Sequence, residues 1–335
     1  MSYSPWVRYA SRSLESRHFP FLTVWKTYTN IRLPRLTVQV SFIPGYLKPL
    51  QQGHTEELAL FKDLLKEVKE SPSPPPSFGA YLLEQQAELG LSDSETAYLA
   101  GSMFGAGSDT TASAISVSLM AAAAYPETQE PVRRELRSLG RPPTFSDRDS
   151  LPQTMAFVHE TFRWRPVTAG GFPHRATRDI IWVCLPFVNL LKLTDRHQNG
   201  YIIPSGSIVI GNVWSVGRDP AYFADPETFN PSRWLTARGD LRTDVKSYPF
   251  GFGRRVCPGQ HLATASVFMN TALILYYFGL SMDEKHPIDT LAFTHSANAH
   301  PEPFKLVFTP GDGEGGDEDW DAAREMIGQY WGAME

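Results

Sequence analysis

The residues best suited to chemistry lie in one stretch, Phe250-Gly251-Phe252-Gly253-Arg254-Arg255-Val256-Cys257-Pro258-Gly259. A cysteine that binds a metal does so as the thiolate, which needs positive charge or a dipole beside it. A helix beginning at Cys257-Pro258 would supply free N–H groups and the positive end of its dipole. Pro258 suits the first helical position, where its missing N–H is no loss. Gly253 and Gly259 allow tight turns and close approach of a flat cofactor, where a Cβ would collide. Phe250 can pack beside the sulfur and keep water away. Arg255 is placed to pair with a carboxylate. The plain alternative is a buried core cysteine opening a helix, because free cysteine is among the most buried residue types.

A second candidate is Ala106-Gly107-Ser108-Asp109-Thr110-Thr111, near the middle of a long helical run. A glycine inside a helix costs about 1 kcal/mol relative to alanine, so Gly105 and Gly107 need a reason. A local opening of the hydrogen-bond ladder would admit a small ligand or water. Asp109 and Thr110 could then relay protons to that ligand. The alternative is a small-residue patch for close helix packing. Glu160 and Arg163 share a helix face three residues apart. Alone, such a pair is usually surface decoration.

Together these motifs resemble the cytochrome P450 family. Phe-x-x-Gly-x-Arg-x-Cys-x-Gly is filled at every fixed position by residues 250–259. The segment 106–111 looks like the family's oxygen-activation groove. Glu160-Thr161-Phe162-Arg163 matches its Glu-x-x-Arg pair, and Phe229-Asn230-Pro231-Ser232-Arg233-Trp234 matches the later stretch whose arginine joins that pair. Gly171-Phe172-Pro173-His174-Arg175-Ala176-Thr177-Arg178-Asp179 is similar to the segment that lines the substrate pocket and reaches a haem propionate.

The resemblance implies a mainly α cytochrome P450 fold, in its C-terminal two-thirds, with a small β region. It implies haem b (iron protoporphyrin IX), with Cys257 as the axial ligand of the iron. Phe250, Gly253, Arg255, Gly259, His174 and Ala106 would surround that group. Asp109 and Thr110 would deliver protons, and Glu160, Arg163 and Arg233 would form a structural ion-pair set. Thr168, Ala169, Phe172 and Ala297, with Ser296 and Asn298 beside it, would face the substrate. The implied reaction inserts one atom of O2 into a small lipophilic organic substrate, the other leaving as water. Electrons would come from NADPH through NADPH-cytochrome P450 reductase. The motifs most resemble the fungal microsomal branch, which points to secondary metabolism and, for the full-length family member, the cytosolic face of the endoplasmic reticulum membrane. Two rivals remain. A haem-thiolate isomerase or dehydratase would dispense with dioxygen, and the intact Asp109-Thr110 pair speaks against it. A non-catalytic, N-terminally truncated fragment is the other.

These residues need elements to carry them. Apolar residues from Leu58 to Val68 fall at helical spacing, and Phe78 to Leu89 reads as a short helix after the Pro- and Ser-rich loop 71–77. Ser92 and Glu95 have the spacing of a capping box, and nothing interrupts the following helix before Pro126. Shorter helices are expected over 127–139 and 151–163, then extended chain from Gly171 to about Ile210 with a tight turn at Asn199-Gly200. A long apolar helix should follow Cys257 to about Phe278.

Three regions depart from this pattern. Residues 1–41 have no clear period and read as an artefactual N-terminus, Arg- and Ser-rich like a transit peptide. Residues 42–310 carry the resemblance, and the acidic, Gly-rich tail 311–335 reads as a solvated appendage. Residues 183–198 (VCLPFVNLLKLTDRHQ) separate a strand at 179–182 from the turn that should close its hairpin. Their ends can be encoded by the usual borders of a short intron, so they read as a retained intron or, alternatively, a genuine apolar loop.

Composition narrows the classes further. The formal net charge of −5 gives no support for nucleic-acid binding. Two cysteines, Cys184 and Cys257, cannot build a disulfide framework, which favours a reducing, intracellular setting. No run is long and apolar enough to read as a membrane anchor.

Overall fold

The computed structural model describes residues 47–183 and 200–310. The regions 1–41, 184–198 and 311–335, singled out above, lie outside the described residues. The backbone divides in sequence into two units after Ala112.

The first unit holds α1 (Lys48–Glu70), α2 (Phe78–Gln85) and the greater part of α3 (Asp93–Ala124). The apolar period of α1 decides which face is buried. Phe61 and Leu65, one turn apart, bury against Ala97, with Leu58, Leu83 and Tyr98 packed around them. Tyr98 meets Phe61 edge-on at 5.7 Å and donates its hydroxyl to Glu57 at 3.0 Å. Gly101 is small for the same reason, since a Cβ there would run into the Phe61 ring. Ser77 caps α2 by accepting from the Ala80 amide at 3.2 Å. That helix stops short of Leu89 because the chain turns out through Gly90, at a φ of +64°.

The capping box forms at the head of α3. Glu95 accepts from the Ser92 amide at 2.9 Å, and the Ser92 hydroxyl accepts from the Glu95 amide at 3.3 Å. The 32 residues of α3 span about 48 Å. The opening expected at Gly105 and Gly107 is not there, because the α-helix is continuous from Asp93 to Ala124. Thr110 instead donates its hydroxyl to the Ala106 carbonyl at 2.6 Å, adding a side-chain bond to a helix that stays closed.

The second unit contains the last turns of α3, then α4 (Gln129–Arg137), α5 (Pro152–Trp164), the single-turn α6 (Val213–Val216) and α7 (Gln260–Tyr277). Pro126 ends α3 and opens a 3-10 turn, which takes the residues expected to begin the next helix. The core joins Val117, Met120 and Ala121 of α3, Val132 and Leu136 of α4, Phe157, Val158 and Trp164 of α5, and Val267, Phe268 and Leu275 of α7. Polar side chains also cross this core: Ser118 and Thr271 share a 2.7 Å hydrogen bond between α3 and α7. Gln129 donates to the carbonyls of Ala122 and Leu280 and accepts from the Leu280 amide, pinning the end of α3 to the strand after α7.

Helix α7 starts three residues later than the sequence suggests. The chain bends at Val256, Pro258-Gly259 form a turn, and Gly259 is the N-cap. Pro258 is therefore a turn residue and not the first residue of the helix.

The β structure is three antiparallel pairs. β1 (Pro173–Arg175) pairs with β4 (Ile208–Ile210), placing His174 opposite Val209. β5 (Phe278–Met282) pairs with β6 (Leu306–Pro310). β2 (Ile180–Val183) pairs with β3 (Gly200–Ile203), Val183 lying opposite Gly200. The hairpin thus closes in register despite the intervening segment. Val183 belongs to the strand, and Gly200 is a strand residue and not the second residue of a tight turn. Ladder pairing between Ile180–Val183 and Gly200–Ile203 decides both assignments. Among the described residues, no helix is long and apolar enough to cross a membrane.

Candidate functional site

The loop before α7 is shaped by its glycines and closed by its own backbone. Gly251 and Gly253 take φ values of +75° and +64°, a region costly for side-chain-bearing residues. Gly253 opens a 3-10 turn through Arg255, and the Val256 amide donates back to the Gly253 carbonyl at 3.2 Å. The Cys257 amide then donates to the Phe250 carbonyl at 2.9 Å, so the chain returns beside its starting point. Phe250 packs edge-on against Phe162 of α5 at 5.1 Å, which ties the loop to the core.

Cys257 is half-buried and free. A Cβ at Gly259 would stand 3.9 Å from its sulfur, an ordinary contact. At Gly253 a Cβ would meet nothing within 4 Å. The glycine there serves the left-handed backbone and not protein crowding. Arg254 and Arg255 are both exposed.

The residues expected to face a substrate converge within the second unit. Gly171, at φ +67°, closes the turn that starts at Thr168 by donating to the Thr168 carbonyl at 3.1 Å. Ala169 accepts from the Trp214 amide at 2.9 Å, holding the turn to α6. The segment carrying Ser296, Ala297 and Asn298 folds back on itself, with Thr294 donating to His300 at 2.8 Å. It docks beside the first turn, where the Ala299 amide donates to the Val167 carbonyl at 2.7 Å. Ser113 of α3 donates to the Ala299 carbonyl at 2.8 Å. Phe172 is largely exposed at 67 %, and Ala297 is exposed as well. His174 stacks on Phe252 at 5.7 Å, bringing β1 against the cysteine loop.

Glu160, Arg163 and Arg233 form one buried assembly. Arg163 grips both oxygens of Glu160, Nη2 to Oε1 and Nε to Oε2, each at 2.8 Å. Arg233 donates to Oε1 at 3.0 Å. The Asn230 amide adds a 2.8 Å bond to Oε1, and the Trp234 indole adds one of 2.9 Å to Oε2. The remaining arginine donors go to carbonyls: Arg163 to Gly217 and Pro226, Arg233 to Ala224, each at 2.8 Å. Both members of the Glu160–Arg163 pair are fully buried. They draw the 217–234 segment onto α5.

Ala106, Asp109 and Thr110 belong to the first unit, Ala106 and Asp109 on an exposed stretch of α3. Neither Gly105 nor Gly107 has protein atoms within 4 Å of a Cβ position, so tight packing does not account for them there.

A further cationic cluster escaped the sequence reading. Arg218 stacks its guanidinium over Trp214 at 3.1 Å, pairs with Glu227 at 2.8 Å and donates to the Trp164 carbonyl at 2.8 Å. Arg165 lies over the Trp164 ring at 4.1 Å and donates to the Thr290 carbonyl at 2.7 Å. Burial, followed by the neighbouring Arg218 charge, pulls the Arg165 guanidinium down to about 10. The sequence signal was weak, since Trp and Arg recur without fixed spacing. Among the described residues, no group of three or more His, Cys, Asp or Glu could hold a metal ion.

Comparison with known proteins places this geometry in context. The sequence profile described as Cytochrome P450 matches residues 24–308. Cytochrome P450 monooxygenase 64 of Postia placenta is 50% identical over 277 residues, covering 81% of this chain and 53% of its own length. Cytochrome P450 monooxygenase 113 of the same fungus is 52% identical over 274 residues, covering 80% and 52%. A cytochrome P450 monooxygenase of Armillaria gallica is 35% identical over 295 residues, covering 83% and 54%. The chain spans about half the length of the curated relatives it matches.

Proposed function

The chain belongs to the cytochrome P450 family, and from that premise we propose that it carries the thiolate side of a haem-dependent monooxygenase. The observation that carries the reading is Cys257, half-buried at the end of a loop closed by its own amide and bent by two positive-φ glycines.

The residues around Cys257 fit a flat, mostly apolar group with acidic edges. Val256, Phe252 and, one turn into α7, Leu262 are exposed apolar residues, Leu262 at 73 %. Gly253 leaves open space where a Cβ would stand. Arg255 and His174 are cationic or hydrogen-bonding groups of the kind that hold propionates. When bound, haem b would supply the redox chemistry that activates dioxygen, and Cys257 is the residue that would hold its iron.

The chain's own groups have separate tasks. Cys257 would hold the iron, while Phe250 and the glycines shape the loop. Phe250 excludes water from the sulfur side. The Thr110 hydroxyl, now donated to the Ala106 carbonyl, holds and passes a proton, and the exposed carboxylate of Asp109 connects it to solvent. Ala106 leaves room beside them. Thr168, Ala169, Phe172 and Ala297 contact a small lipophilic substrate, for which the exposed Phe172 ring offers apolar surface. Glu160, Arg163 and Arg233 keep the scaffold rigid.

The electron donor in this reading is NADPH through NADPH-cytochrome P450 reductase, at the cytosolic face of the endoplasmic reticulum. Its basis is the likeness to fungal monooxygenases. Haem reconstitution of the purified chain, reduction and carbon monoxide addition test the reading. The expected result is the long-wavelength Soret band of a thiolate-ligated haem. Absence of any such band would favour the non-catalytic fragment.

A further inference from the structure

Gly211, the residue after β4, is crowded from two directions. A Cβ at Gly171, which closes the Thr168 turn, would collide with the Gly211 carbonyl oxygen. A Cβ at Gly211 itself would collide with the Phe252 ring, whose Cζ is the nearest atom. Phe252 therefore lies with its tip against bare backbone. Its other sides are bounded by aromatic neighbours. His174 of β1 stacks on it at 5.7 Å with the planes 19° apart, and Tyr248 meets it edge-on at 5.8 Å.

Phe252 is nevertheless 39 % exposed. Burial of apolar area is a weak reason for such a side chain to be held, whereas its fit against Gly211 and His174 is specific. Meanwhile the loop's closing hydrogen bonds, Val256 to Gly253 and Cys257 to Phe250, run within the loop. They fix its internal shape and leave its placement on the β1–β4 pair to side chains.

We propose that Phe252 is a positioning residue, its ring wedged against Gly211 so that the cysteine loop is fixed on the β1–β4 pair and tied, through Gly211, to the Thr168–Gly171 turn. The iron-side loop and the turn assigned to the substrate then share one backbone contact point. A side chain added at Gly211 or at the ring tip displaces both. Its consequence at the iron rests on the haem-thiolate reading; the wedge itself does not.

The test uses the full chain in haem-free and haem-loaded forms. Four variants are compared: Gly211→Ala, Phe252→Tyr, Phe252→Ala and the double variant Gly211→Ala/Phe252→Ala. Amide hydrogen exchange at Val256 and Cys257 is read without haem, and the thiolate fraction of the carbon monoxide complex is read with it. Overpacking at a rigid contact should speed exchange by about tenfold or more in Gly211→Ala and Phe252→Tyr. Both variants should also lower the thiolate fraction. Once the ring is gone, the added methyl has nothing to strike, so the double variant should match Phe252→Ala alone. Wild-type exchange in both Gly211→Ala and Phe252→Tyr overturns the proposal, as does a double variant that sums the two single effects. If Gly211→Ala does not fold, Phe252→Tyr makes the same clash from the other side. Should exchange respond as described while the parent chain shows no thiolate band, the haem reading fails and the wedge stands.

Discussion

The amide of Cys257 donates to the carbonyl of Phe250 at 2.9 Å, so the first and eighth residues of the loop share one hydrogen bond. That bond needs no side chain from Cys257. Replacing the sulfur should therefore leave the loop in place and change only what the loop can bind.

Cys257→Ser is expected to keep the melting temperature of the haem-free chain and to abolish the thiolate Soret band after reconstitution. Hydroxyl oxygen is a poor substitute for a soft thiolate ligand. Carbon monoxide spectra and thermal melts on the same preparations check both halves. An unchanged spectrum would remove the basis of the functional reading.

The Glu160 carboxylate holds two arginines, a backbone amide and an indole N–H within a fully buried site. Glu160→Ala leaves Arg163 as an uncompensated buried charge, a change that typically costs about 3–5 kcal/mol. Glu160→Gln keeps the size but loses the charge and part of the acceptor capacity, and should cost less. Denaturant titration of the haem-free chain orders the two. A loss under about 1 kcal/mol for Glu160→Ala, the level of an exposed pair, would contradict the burial of this assembly.

Three glycines on α3 should respond differently to the same substitution. Alanine is favoured over glycine in a helix by about 1 kcal/mol. Gly105→Ala and Gly107→Ala meet no neighbouring atoms and should stabilise the chain by about that amount each. Gly101→Ala drives a methyl into the Phe61 ring, and overpacking of that kind costs about 1–3 kcal/mol, cancelling or reversing the helix gain. Melts of the three variants under one buffer give the order directly.

Asp147 should set an acid limit on stability. Arg141 grips both its oxygens, at 2.7 Å and 2.8 Å, and Thr144 adds amide and hydroxyl donors at 2.7 Å and 2.8 Å. These hydrogen bonds, the Arg141 bonds foremost, hold its carboxyl well below the usual carboxylate range. A folded-state value below the unfolded one, roughly 3.9, contributes stability that is complete above the unfolded value. It is lost as the pH falls through the folded one. The melting-temperature gap between the parent and Asp147→Asn should thus be full near neutrality and shrink in strong acid. A gap independent of pH would show that the carboxylate's charge plays no part.

The long helices were legible because their signals are local. The Ser92–Glu95 box and the apolar period of α1 each act within a turn or two, and both appear in the structure. The start of α7 was misread because Pro258 suits a helix and a turn equally. Choosing between them required the Cys257–Phe250 bond, made across the loop. The β2–β3 pairing was anticipated from the strand before residue 183 and the chain after Asn199, but its exact bounds, with Val183 opposite Gly200, depend on partners distant in sequence.

By itself, the order of residues picked out the candidates: the cysteine with its glycines, the Asp109-Thr110 pair, and Glu160 with its two arginines. These are matters of residue type at short spacing, and type is all that local chemistry needs. Only the tertiary structure decided that Glu160 is buried beneath Arg163, Arg233 and Trp234, and that the Arg165–Arg218 cluster exists at all. It alone set Phe252 against Gly211. The contacts of Glu160 with Arg233 and Trp234, of Arg218 with Trp164 and of Phe252 with Gly211 join segments dozens of residues apart, and tertiary packing, not local propensity, selects such partners.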